Sequence, residues 1–190
     1  MTLIFIMIFT YITGSVNFSI VLFRLLGKDD PRTKFSGNAG ATNVYRQAGK
    51  FWAAVVLFLD MGRAILISYI GLKTLSTEFI TLPGLVLILG NRFPCFHGFK
   101  GGKGVANYLG FTILLSPISV CMGALAWISV YLKFRKPFLS SFAMVLILGV
   151  GTILTYKNHF LVIVFTCLTV LFIIMNHKQN ILEWIEAQQK

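Results

Sequence analysis

A succession of apolar runs, separated by short basic connections, sets the strongest limit on what this chain can fold into. Leu3–Phe23 and Phe51–Leu72 are each long enough to cross a bilayer, for which about 20 apolar residues are needed. Phe79–Gly90 is apolar but only about 12 residues long, roughly 18 Å as helix, too short for ~30 Å of hydrocarbon. A second short run, Val105–Leu115, stops at Ser116-Pro117. Pro117 has no backbone donor and clashes with the preceding turn, so a break is expected there. Ile118–Leu132, Phe138–Tyr156 and Phe160–Met175 complete the series, and the tail from Asn176 is polar. With Ser116-Pro117 as a turn, the pattern predicts an all-α polytopic membrane protein with about seven crossings, two of them short.

Charge placement agrees with that count. Only 12% of residues are charged and 56% are apolar, against about 25% charged in soluble domains. A net charge of +11 would suggest nucleic acid in a soluble protein. Here the basic residues sit between apolar runs, so no nucleic-acid partner is expected and membrane lipids are. With seven crossings, the connections Arg24–Lys50, Arg92–Lys103, Lys133–Lys136 and the tail share one face and hold fourteen of the seventeen Lys and Arg. The opposite face holds only Lys73 and Lys157. The positive-inside rule then predicts an outside amino terminus and a cytoplasmic carboxyl tail. The first run lacks a basic leader and a small-residue cleavage site and reads as a retained span. Cys95, Cys121 and Cys167 are widely spaced and form no zinc-like pattern with the three histidines, so no metal is expected. No internal repeat is visible, and one membrane domain over residues 1–190 is expected.

Three polar clusters interrupt the apolar pattern. The first, Ser36-Gly-Asn-Ala-Gly-Ala-Thr-Asn43 followed by Arg46, can present N–H groups, a hydroxyl and amides to one ligand. If a helix begins near Ala41, Asn43 and Arg46 share a face, and an Arg fork suits phosphate. The plainer reading is an Asn/Gly turn with Arg46 at the lipid headgroups. The second cluster is His97-Gly-Phe-Lys-Gly-Gly-Lys-Gly104. Its glycines would let bare N–H groups converge on an anion beside Lys100 and Lys103, or it is a flexible basic loop. It is not a Walker A loop, because His97 stands where glycine is required and Gly104 replaces Ser/Thr. The third, Asn176-His177-Lys178-Gln179-Asn180, puts His177 and Asn180 three residues apart on one helical face. His177 there would serve as a base or a hydroxyl anchor, or simply favour a helix C-terminus.

Asp60 and Arg63 lie inside the second span, three apart, and read as a structural pair facing the bundle interior. Ser140 and Ser141 follow the third basic loop and would add hydroxyls on the same face. The topology gathers all of the polar clusters at that face beside two short segments, where irregular backbone can line a cavity. A pocket with Arg46, Lys100, Lys103 and His177 would hold two phosphorylated substrates.

At this point the chain resembles the bacterial acyl-phosphate:glycerol-3-phosphate acyltransferase family. The matching segments are SGNAGATNVYR (Ser36–Arg46), FPCFHGFKGGKGVA (Phe93–Ala106) and NHKQNI (Asn176–Ile181). The resemblance implies a multi-pass enzyme of the bacterial inner membrane with a cytoplasmic-facing site, in phospholipid synthesis. It would move a fatty acyl group from acyl phosphate to the 1-hydroxyl of glycerol 3-phosphate, giving lysophosphatidic acid and phosphate, without cofactor and as a monomer. By the same resemblance Ser36, Arg46, Lys103, His177 and Asn180 are catalytic. Asn38, Asn43, Lys100, Gly101, Gly102, Gly104 and Ser141 bind substrate. No histidine has Asp five residues on, so the His-x-x-x-x-Asp pattern of other glycerolipid acyltransferases is missing. The family pattern differs at Gly90-Asn91, where Gly-His is usual, and at Phe35, where glycine is. It differs also at Phe138 with Ser141, where paired serines are usual, and at Glu183, Ala187 and Gln189, where Arg, Gly and Glu are. A small anion transporter and a non-catalytic paralogue are the alternative readings.

Overall fold

The computed structural model describes residues 1–188, so Gln189 lies outside it. Its ten α-helices are α1 (Thr2–Ser15), α2 (Phe18–Leu25), α3 (Ala41–Ala48), α4 (Lys50–Thr74) and α5 (Leu82–Arg92), then α6 (Val105–Leu115), α7 (Pro117–Phe134), α8 (Pro137–Thr155), α9 (Phe160–Met175) and α10 (Lys178–Gln188). No strand occurs among the described residues. Four helical stretches are long and apolar enough to cross a membrane, or up to six if each bent pair counts as one span, and α6 is a further short apolar helix. The third apolar run is longer than its composition suggests. Single 3₁₀ turns flank α5, so the stretch runs from Thr77 to His97, 21 residues. Ser116 ends α6 and caps α7, with Pro117 in the first turn, where its missing N–H costs nothing.

Large apolar side chains such as Phe5, Phe58, Ile118, Leu125 and Phe160 point outward. In a membrane that surface meets lipid, and the packing force between helices comes instead from close backbone approach. A Cβ on Gly90 would stand 2.4 Å from Tyr11 O, and one on Gly110 2.5 Å from Met61 O. These glycines let α5 lie against α1 and α6 against α4.

The first span is bent by 41° between α1 and α2. The break frees carbonyls at the end of α1, and Arg63 of α4 satisfies them. Its guanidinium donates to Thr13 O at 2.9 Å, Gly14 O at 3.2 Å and Val16 O. It also donates to Asp60 Oδ1 at 2.7 Å and Asn107 Oδ1 at 2.8 Å. The pair is buried, as the spacing predicted. Removing one partner of such a pair costs about 3–5 kcal/mol, because the other charge is left without compensation. Asn17 completes the bend: its side chain accepts from Ile20 N at 3.2 Å and donates to Ala39 O at 3.2 Å, which ties the break to the first polar loop.

Candidate active site

The first polar loop is shaped from within. Gly37, at φ +61°, closes a turn whose N–H returns to Lys34 O at 3.2 Å. α3 then starts at Ala41, as expected, and carries Thr42 and Arg46 to the wall of a cavity of about 880 Å³. Ser36 and Asn38 line the same cavity. Asn43 does not. It is buried against the preceding loop, where its Nδ2 donates to Pro31 O at 2.7 Å and Lys34 O at 3.3 Å. Asn43 and Arg46 are neighbours three residues apart on α3, as expected, but only Arg46 reaches the cavity, because Asn43 is spent on holding the loop. Phe35 has φ +54°, a left-handed conformation that costs a side-chain-bearing residue about 1–2 kcal/mol and glycine nearly nothing.

The glycine-lysine loop joins α5 to α6, and only part of it reaches the cavity. Gly102, Lys103 and Gly104 do; Gly101 and Lys100 do not. Gly101 N–H donates to Arg92 O and Gly102 N–H to Asn91 O, both at 3.0 Å. These groups are engaged within the protein, so the expectation that they converge on an anion gives way to a packing role. A Cβ on Gly101 would stand 2.0 Å from Asn91 O, and one on Gly102 2.9 Å from Ala39 O. Backbone of the first motif thus lies directly against backbone of the second. Lys100 is exposed, and its carbonyl accepts from Arg32 NH1 at 2.6 Å.

Lys103 is the loop's cationic centre. Its Nζ donates to Asn180 Oδ1, and its carbonyl accepts from Asn176 Nδ2 at 3.4 Å. Burial, assisted by the charges of Arg92 and Arg46, lowers its pKa to about 8, while Glu183 opposes the shift. It remains mainly protonated at pH 7.

His177 stands beyond the end of α9, at the 50° bend before α10, and lines the cavity with Asn180. Its Nδ1 lies 2.8 Å from Ile173 O. A carbonyl only accepts, so Nδ1 carries the proton and Nε2 keeps its lone pair. Burial, together with the nearby Lys103 and Arg92 charges, lowers the His177 pKa to about 4 against the opposing pull of the Ile173 bond. The ring is therefore neutral at pH 7. Ser141 also lines the cavity, but its Oγ donates to Pro137 O at 2.9 Å, so it offers lone pairs rather than a proton.

Several contributors carried no clear signal in the sequence. Arg32 grips Asp30 through Nε and Nη2 and reaches His97 O at 2.7 Å as well as Lys100 O, which pins the second motif to the turn that precedes the first. Its partners are backbone carbonyls, which every residue type supplies, so spacing could not reveal it. Hydrogen bonding and charge attraction to Arg32 hold Asp30 below the ordinary carboxylate range. Asp60, Asn91 and Asn107 form the cavity floor above Arg63. A polar Asn107 inside an apolar run was the available clue. Leu57, Leu109, Trp127 and Ile128 make an apolar wall, and Arg135 and Lys136 stand at the α7–α8 connection. Among the described residues no group of three or more His, Cys, Asp or Glu is placed to hold a metal ion.

Residues 4–187 match the family model described as glycerol-3-phosphate acyltransferase. A glycerol-3-phosphate acyltransferase of Neisseria meningitidis serogroup C (strain 053442) is 34% identical over 185 residues, covering 95% of this chain and 92% of the relative. That of Aquifex aeolicus (strain VF5) is 39% identical over 143 residues, 74% of each chain. The fold matches crystal structures of PlsY, an integral membrane glycerol 3-phosphate acyltransferase, at 32% identity and over 98% of this chain. The glycerol 3-phosphate form gives a TM-score of 0.91 with 94% of that chain covered, the lysophosphatidic acid form 0.89 with 93%. With its apolar helices and this match, the chain is an integral membrane protein. It belongs to the glycerol-3-phosphate acyltransferase family.

Proposed function

We propose that this protein transfers a fatty acyl group from acyl phosphate to the 1-hydroxyl of glycerol 3-phosphate at the cavity between its three polar motifs. One observation carries the reading: Arg46 and Lys103, together with Lys50, Arg135 and Lys136, line a cavity with a neutral imidazole and an apolar wall, and none of these cations forms an ion pair among the described residues. A phosphate 4 Å from one such cation gains about 4 kcal/mol at intermediate dielectric, before desolvation is subtracted. The apolar wall suits an acyl chain. In this reading the protein acts as a monomer. The basic loops around the cavity support a cytoplasmic site in the bacterial inner membrane, with the amino terminus outside.

In the reaction the hydroxyl oxygen of glycerol phosphate attacks the acyl carbon, and the carbon–oxygen bond to phosphate breaks with its electron pair leaving on phosphate. Orientation and charge neutralisation supply much of the rate, because the mixed anhydride has a good leaving group. Ser36, Asn38, Gly104, Asn180 and Ser141 position the substrates, while Asn43, Lys100, Gly101 and Gly102 act through the loop shapes they fix. His177 Nε2 accepts a hydrogen bond from the attacking hydroxyl. With a pKa of about 4 it is a weaker base than the phosphate, which departs with at least two negative charges, so the proton goes to the departing phosphate. His177→Gln, which keeps an acceptor, should retain part of kcat, and His177→Leu should lose nearly all of it. Equal turnover in the two variants would remove His177 from the chemistry.

Purified protein supplied with acyl phosphate and glycerol 3-phosphate should release phosphate and lysophosphatidic acid in equal amounts, and acyl-CoA should not replace the donor. Failure of well-folded protein to release phosphate, or equal use of acyl-CoA, would overturn the proposal.

A further inference from the structure

We propose that a single water molecule occupies a small buried site between α6, α8 and α9, where it joins Tyr108 to Thr166. A cavity of about 10 Å³ lies there, separate from the large one and walled by Tyr108, Thr112, Thr152, Thr166 and Thr169 with Phe111 beside them. That volume matches one water, which also needs two to four polar partners.

The hydroxyl groups define what the ligand must offer. Thr112 Oγ1 donates to Tyr108 O at 2.8 Å, Thr152 Oγ1 to Leu148 O at 2.8 Å and Thr169 Oγ1 to Phe165 O at 2.7 Å. Their protons are engaged with their own helices, and their oxygens remain acceptors. Tyr108 and Thr166 are the reverse. They are 4% and 2% exposed, and neither hydroxyl has a partner in ordinary hydrogen-bond geometry among the described residues, although the Thr152 hydroxyl stands beside Tyr108 Oη. Thr81, the sixth lining hydroxyl, donates to Val162 O at 3.4 Å, so two donors without acceptors meet four acceptor oxygens. A methyl group would leave both donors orphaned in a region where no lipid or bulk water can satisfy them. An ion would bring a charge that none of the six lining hydroxyls, Thr81 included, can neutralise. Water accepts twice and donates twice, and so satisfies both sets.

The position gives the site a structural consequence. α6 follows directly on the loop that presents Lys103, and α9 leads into His177. A water bonded to Tyr108 and Thr166 fastens the helix behind one motif to the helix behind another.

The test is a structure of the intact protein in lipid at a resolution that shows waters, combined with thermal unfolding of Y108F, T166V and the double variant. One water peak is expected within about 3.2 Å of both Tyr108 Oη and Thr166 Oγ1. Each single variant should lower Tm by roughly 2–4 °C, and the double variant by no more than the larger single loss, since the two hydroxyls act through one shared molecule. A dry cavity with Tyr108 Oη bonded directly to a threonine would overturn the proposal. So would Tm losses that add.

Discussion

Lys103 lines the cavity and Arg63 lies behind its floor, and the surroundings of these two buried cations differ in one decisive respect. Arg63 has a carboxylate 2.7 Å away, an amide oxygen and three backbone carbonyls, so every direction in which its fork points is answered. Lys103 has a neutral amide, Asn180, and then open cavity. A buried cation answered by a carboxylate holds structure together. One hydrogen-bonded only to a neutral amide, with the Glu183 carboxylate outside ion-pair reach and other cations near, is left with charge to spend on an incoming anion. The distinction separates scaffold from site even though both residues interrupt apolar or near-apolar sequence.

Substitutions at the two centres should therefore fail in different ways. The largest effect is expected for Arg63→Ala, which leaves Asp60 and the carbonyls of Thr13, Gly14 and Val16 without a partner. Stability should fall by about 3–5 kcal/mol, read by thermal unfolding in detergent. Near-normal stability would mean that the α1–α2 bend is held by something other than Arg63. At Lys103 the expected response is to pH rather than to heat. The cationic form binds the anion, and its pKa of about 8 in the free protein means that charge is lost as pH rises through that value. The kcat/KM for glycerol phosphate, which reports the free enzyme, should fall about tenfold per pH unit above 8, and Lys103→Arg should move that limb to higher pH. A profile flat to pH 10 would remove Lys103 from anion binding. The smallest effect is a gain. Phe35→Gly relieves a left-handed side-chain-bearing residue and should raise stability by up to about 1 kcal/mol, partly offset by the entropy of the unfolded glycine.

Much of this arrangement was legible in the residues alone because it depends on period and charge. Apolar run length, Pro117 and the one-sided basic loops predicted the helices and the face on which Ser36, Arg46, Lys103 and His177 meet. The intramembrane Asp60–Arg63 spacing predicted a buried pair. What could not be read was direction. Nothing in the order of residues shows that Asn43 turns inward to Pro31 while Arg46 faces the cavity. Spacing gives equally little warning that the Gly101 and Gly102 N–H groups close on Arg92 and Asn91, not on a ligand. The glycines were informative, but for a different reason from the one their clustering suggests: Gly102 has no room for a Cβ against Ala39 O. Arg32 was silent because it recognises carbonyls, and those carry no sequence signature.

Titration of glycerol 3-phosphate and of glycerol into purified wild-type and Lys103→Ala protein tests most directly whether the unpaired cations await a phosphate. Wild-type protein should bind glycerol 3-phosphate and not glycerol. Lys103→Ala should weaken that binding by about tenfold to a hundredfold, as loss of a charged hydrogen bond of about 1.5–3 kcal/mol requires, with Tm unchanged. Equal affinity of the two proteins for glycerol 3-phosphate, or equal affinity of the wild type for glycerol, would contradict the assignment of this cavity.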